Sequence, residues 1–255
     1  PWYTWEWLHY SGMSSKFAFM EYWELADGRE MQEWLDLTGH KAAIYDSHLR
    51  ALLKQMCEYG DTFDMRNLVA PSLLGLEPDY TIVYLDNHDS SREWDASKMG
   101  ILTNKPIGYA YAFHSPGLPM VFWPDYFISA YIGTNLQFVA GTKIKNEINR
   151  LIKIRKIAVG GDIFMVHADA DMYVQERSGS DSKYKSLLVI NDSSATRTNS
   201  FQTSWINTLI VDLVATSGTP HSVTTDASGG MALSMPPRSY RIYSTTNALN
   251  EVNAP

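Results

Sequence analysis

Four short apolar runs punctuate the first part of the chain, to about residue 155, and each ends on polar or acidic residues. They are Phe17-Ala18-Phe19-Met20-Glu21, Ala43-Ile44-Tyr45-Asp46, Thr81-Ile82-Val83-Tyr84-Leu85-Asp86 and Leu118-Pro119-Met120-Val121-Phe122-Trp123. Uninterrupted apolar runs suit strands buried on both faces, as in parallel sheets. Helical spacing fills the intervals. Leu49, Leu52, Leu53, Met56 and Cys57 form one face of a helix that Gly60 is placed to stop. Lys105 to His114 reads as a second helix, closed by Ser115-Pro116-Gly117, and Glu147 to Ala158 as a third. Strand and helix in alternation predict a parallel α/β architecture.

The pattern changes after Gly160-Gly161. Short β-like runs follow, including Met172-Tyr173-Val174, Ser186 to Ile190, Thr208 to Val211 and Ser239 to Tyr243, separated by Ser, Gly, Asp, Asn and Thr. This spacing predicts an antiparallel sandwich, with a domain boundary near residue 160.

Composition narrows the function classes. The 255-residue chain carries a formal charge of -7, which disfavours nucleic acid and anionic membrane as partners. No apolar stretch approaches the roughly 18 residues of a membrane span. A single cysteine, Cys57, excludes an internal disulfide. The 8 Trp and 15 Tyr would serve a sugar-binding cleft, although on composition alone a large aromatic core is the better account of them. The histidines show no zinc spacing, and no glycine loop for phosphate is present. Asn191-Asp192-Ser193 matches the glycosylation pattern at the end of a predicted strand, where a chance match outweighs a modified site.

In a parallel barrel the chemistry sits where the strands end. Glu21, Asp46, the tetrapeptide Asp86-Asn87-His88-Asp89, and Asp125 all lie at such ends. Each acid taken singly is as readily a helix N-cap as a catalyst. The tetrapeptide is more specific. Two carboxyl groups, one protonated and one ionised, are what glycoside hydrolysis needs.

Val83 to Asp89 resembles the fourth signature region of the α-amylase family. Phe17 to Trp23 resembles its third, with Met20 in place of the usual Gly. Phe63-Asp64-Met65-Arg66, Leu118 to Phe127, Ile152 to Lys156 and Pro236 to Tyr240 resemble further family segments, in order along the chain. The resemblance implies an α/β fold that is the second half of a (β/α)8 TIM barrel, residues 1–160, followed by an all-β antiparallel sandwich, residues 161–255. It implies that Glu21 is the general acid/base and that Asp89 stabilises the transition state. His88, Asn87, Tyr22 and Trp23 would bind the substrate. The implied reaction is internal hydrolysis of α-1,4 bonds in starch- or glycogen-like glucans with retention of configuration, by a secreted enzyme, with a cytoplasmic one as the alternative. Calcium is the implied cofactor, with its main site outside this segment. Asp171 stands where some relatives place a calcium ligand, although a lone Asp before a strand is usually a turn residue.

The family's nucleophile pattern, Gly-x-Arg-x-Asp-Ala, and its first region, Asp-x-x-x-x-Asn-His, are absent from the sequence. Pro1 to Ser15 reads as the helix after the fourth barrel strand. The expected partners are therefore an α-glucan and the N-terminal half of the barrel, on a second chain or segment. The alternative is a catalytically inactive amylase-like module that serves carbohydrate binding or assembly. The site residues Glu21, His88 and Asp89 should converge on one face. The sandwich should pack on the helix Glu147 to Ala158, burying Ile148, Leu151 and Ile152.

Overall fold

The computed structural model describes residues 2–22, 27–69, 71–90, 100–127 and 144–254. In its first part lie strands β1 (Phe19–Met20), β2 (Ala43–Tyr45), β3 (Thr81–Val83) and β4 (Leu118–Pro119). They form one sheet in the order β1-β2-β3-β4, parallel throughout. The helices are α1 (Trp2–His9), α2 (Arg29–Leu37), α3 (Ser47–Tyr59), α4 (Leu73–Leu76), α5 (Lys105–His114), α6 (Trp123–Phe127) and α7 (Lys145–Ala158). Strands joined through helices and paired in sequence order are the arrangement of part of a (β/α) barrel. Among the described residues no helix is long and apolar enough to cross a membrane.

Local chemistry sets the helix bounds. The Asp46 side chain caps α3, accepting from Leu49 N at 2.9 Å, and its other oxygen accepts from Leu74 N at 2.9 Å. One of the five strand-end acids is thus spent on holding α3 and α4. Gly60 ends α3 at φ 31°, and a Cβ there would fall 1.2 Å from the Arg238 guanidinium. The turn therefore needs glycine for its positive φ, and the Arg238 guanidinium packs into the space a Cβ would take. On α7 the buried stripe is Ile148, Leu151, Ile154 and Ala158, whereas Ile152 is 43% exposed. The expected burial of Ile152 is incorrect. At about 100° per residue, it lies roughly 100° round the helix from the centre of that stripe.

The second part is antiparallel. Strands β5 (Ile163–Ala168), β6 (Met172–Arg177), β7 (Ser186–Asn191), β9 (Leu209–Asp212), β10 (Ser222–Thr224) and β12 (Ser239–Ser244) form a sheet in the order β10-β9-β12-β7-β6-β5. Strands β8 (Arg197–Gln202) and β11 (Gly230–Met235) form a smaller one. Met172, Val174, Leu187 and Val189 meet Phe201, Met231, Leu233 and Met235 between the two sheets. The alternate residues Tyr173, Leu188, Ile190 and Ile242 face the opposite way. They join Leu53, Tyr111, Ile148, Leu151 and Ile154 in a second core. A strand buried on both faces reads as a continuous apolar run, as Ser186 to Ile190 does. Helix α8 (Thr246–Asn253), N-capped by Thr245, closes the chain with Ala248 and Val252 in the same core.

Candidate active site

Glu21 follows β1 directly and is exposed. Tyr45 and Tyr84 lie beside it. Burial first, and then the Glu21 charge, raise the pKa of the Tyr45 hydroxyl. The two rings stand 4.8 Å apart, and Phe19 meets Tyr45 edge-on at 5.5 Å. Tyr22 is half-buried. Its hydroxyl donates to Glu30 and its ring tilts against Trp34. Trp23 lies outside the described residues.

The loop after β3 is organised by its own side chains. Asn87 is buried, and its Oδ1 accepts from Asp89 N at 3.1 Å and Ser90 N at 2.9 Å. Its Nδ2 donates to Glu21 Oε1 at 3.3 Å. The Ser90 hydroxyl accepts from Asn87 N at 2.9 Å and donates to Asp86 Oδ1 at 2.8 Å. His88 is exposed, with Nε2 3.6 Å from Asp89 Oδ2. The structure thus brings the end of β1 and the loop after β3 into contact, with Asn87 as the joint. His88 and Asp89 follow in that loop, next to the Asn87–Glu21 contact along the chain.

Asp86 and Asp125 do not face the open side as free acids. Asp86 is buried and accepts from Arg50 Nη2 at 2.9 Å, while Lys105 Nζ stands 2.7 Å from its Oδ2. Asp125 is buried against Lys105 and the Tyr109 hydroxyl. Ser90, Arg50 and Lys105 were not legible as site residues, since only the fold brings them to these acids.

The residues around Asp171 do not fit calcium. Its Oδ2 pairs with Arg197 Nε at 2.8 Å, and its backbone N–H donates to Asp169 Oδ1 in the turn between β5 and β6. Among the described residues no group of three or more acidic, His or Cys side chains is placed to hold a metal. Asp171 is a turn residue and ion-pair partner. The Asn191 amide is buried, donating to the carbonyls of Ala195, Met235 and Pro236, which leaves no room for a glycan.

Residues 187–244 match a family model described as alpha-amylase C-terminal. A glucan 1,4-alpha-maltohexaosidase of Bacillus sp. (strain 707) is 28% identical over 129 residues, 49% of this chain and 25% of that protein. The cytoplasmic alpha-amylase of Escherichia coli (strain K12) is 24% identical over 189 residues, 71% of this chain and 38% of that protein. The chain therefore spans only part of the length of these relatives. In fold it is similar to an alpha-amylase of Geobacillus thermoleovorans solved with acarbose. The TM-score is 0.69 at 17% identity, over 95% of this chain and 56% of that one. The C-terminal residues 187–244 thus match an alpha-amylase C-terminal model, and the chain is similar in sequence and in fold to the C-terminal part of α-amylase-type glycoside hydrolases.

Proposed function

We propose that this chain is the acid/base-bearing part of an endo-acting, retaining α-1,4-glucan hydrolase. Residues 1–160 would supply half of the catalytic barrel and residues 161–255 its sandwich. The observation that carries the reading is the contact of Asn87 with Glu21, which joins the ends of two non-adjacent strands where a barrel does its chemistry. Glu21 then protonates the glycosidic oxygen as the bond to the anomeric carbon breaks. A carboxylate nucleophile on the first four strands takes that carbon, and Glu21 afterwards removes a proton from the water that releases the sugar. Asp89 and His88 grip sugar hydroxyls and stabilise the oxocarbenium-like charge. Tyr22, Trp23 and Asn87 complete the substrate-facing set.

The test is starch hydrolysis by the 255-residue chain alone and with a fragment carrying the first four strands. The chain alone should be inactive, since Asp89 is assigned to the sugar hydroxyls and not to attack. The pair should be active and should lose about 10²- to 10⁴-fold on Glu21→Gln, the usual worth of a general acid. Hydrolysis by the chain alone would overturn the assignment of roles. Binding of maltoheptaose by the pair with no hydrolysis would favour the glycan-binding module.

A further inference from the structure

We infer that Lys105 is a positioning residue of this site: its ammonium holds the loop after β3, which carries Asn87, His88 and Asp89, in register with α6. The inference rests on the hydrolase reading above. Lys105 bridges two carboxylates from different elements, Asp86 Oδ2 on the loop after β3 at 2.7 Å and Asp125 Oδ1 in α6, which follows β4. The three side chains are 16%, 2% and 6% exposed. From Asp86 the connection continues through the Ser90 hydroxyl to Asn87 N, and from the Asn87 amide to Glu21. On the other side Asp125 accepts from the Tyr109 hydroxyl at 2.6 Å, which itself accepts from Phe122 N at 3.3 Å. The position of one ammonium is thus felt at the proposed acid.

Local helix energetics do not explain a lysine here. Lys105 is the first residue of α5, where the helix dipole disfavours a cation. Burial pulls its pKa down, but Asp86 and Asp125 more than reverse this and hold it above the ordinary lysine value. With Arg50 on Asp86, two cations and two carboxylates make a neutral buried set. Such a set contributes little net stability over well-packed apolar residues, so its selective value is geometric. The anchor is rigid, because α5 is buried at every position from Ile107 to His114.

The experiment compares Lys105→Met and Lys105→Met/Asp125→Asn with the wild-type chain, each paired with the fragment carrying the first four strands. The single variant leaves a buried charge unbalanced and is expected to melt lower. The double variant restores neutrality and should regain most of the melting temperature. Its kcat on soluble starch should stay down by about tenfold or more with KM little changed, since a misplacement of about 1 Å costs up to roughly a hundredfold. Recovery of kcat together with the melting temperature would overturn the inference and leave Lys105 a stability residue only. If the wild-type pair is itself inactive, the hydrolase reading fails, and amide hydrogen exchange at Asn87 to Ser90 decides the positioning claim. Faster exchange in the double variant supports it, and unchanged exchange overturns it.

Discussion

The side-chain amide of Asn87 donates to the Glu21 carboxylate across 3.3 Å, although 66 residues separate them in sequence. The same side chain accepts from the backbone of Asp89 and Ser90, so one residue both shapes the loop and touches the proposed acid. Asn87→Ala removes both functions. Hydrogen bonds to charged groups contribute about 1.5–3 kcal/mol, so a loss of roughly ten- to a hundredfold in kcat/KM is expected in the paired assay. Steady-state kinetics on soluble starch check this. A value within twofold of wild type would mean that Glu21 needs no help from Asn87.

Asp192 gives a prediction on pH. It is buried, and neither carboxylate oxygen has a hydrogen-bond partner among the described residues. Burial pushes its pKa up to about 8; Arg238 opposes this, and Asp171 and Asp61 add to it. Between about pH 4 and about pH 8 the folded chain retains a proton that the unfolded chain releases. Stability from this group is therefore full below about pH 4 and falls as the pH rises to about 8. Asp192→Asn should remove that falling limb and raise the melting temperature at pH 8 more than at pH 5. An equal shift at both values would show that Asp192 is ionised throughout.

His114 works in the opposite direction. It is fully buried, with Nε2 3.0 Å from Ser186 Oγ and Nδ1 2.9 Å from Gln175 Nε2. Burial first, then Arg177 and Arg155, hold its pKa well below the ordinary histidine value. Below about pH 6.5 the unfolded chain takes up a proton that the folded chain refuses, so this contribution is lost as the pH falls. His114→Gln should cost about 1–3 kcal/mol at pH 7.5, with the deficit shrinking towards pH 5. Denaturant unfolding at the two pH values measures it, and a deficit that grows on acidification would contradict the assignment.

The legible parts of the fold are those where one residue pattern answers to one environment. Strands β2 and β3 are buried on both faces and read as unbroken apolar runs, and α5 runs from Lys105 to His114 as its sequence predicts. Strand β8 was not legible because half its residues are polar and face solvent. Strand β5 escaped for the converse reason, since its apolar Ile163, Phe164 and Met165 are exposed and follow no alternation. The tetrapeptide at Asp86 was visible as a motif. That Asp86 is the buried anchor of the loop, while Asn87 touches Glu21, depends on Arg50 and Lys105, which reach it only through the fold.

The core shared by α3, α5 and α7 with β7, β12 and α8 has a consequence for how the molecule comes apart. Leu188, Ile190 and Ile242 show one face to the small sheet through their neighbours and the other to the barrel helices. Stripping away either part would lay a two-sided apolar sheet or a row of helix stripes open to water. Unfolding is therefore cooperative across the two architectures, in a single calorimetric transition and not two. A protease cut between Ala158 and Ile163 should leave the two pieces bound to each other until that transition is reached.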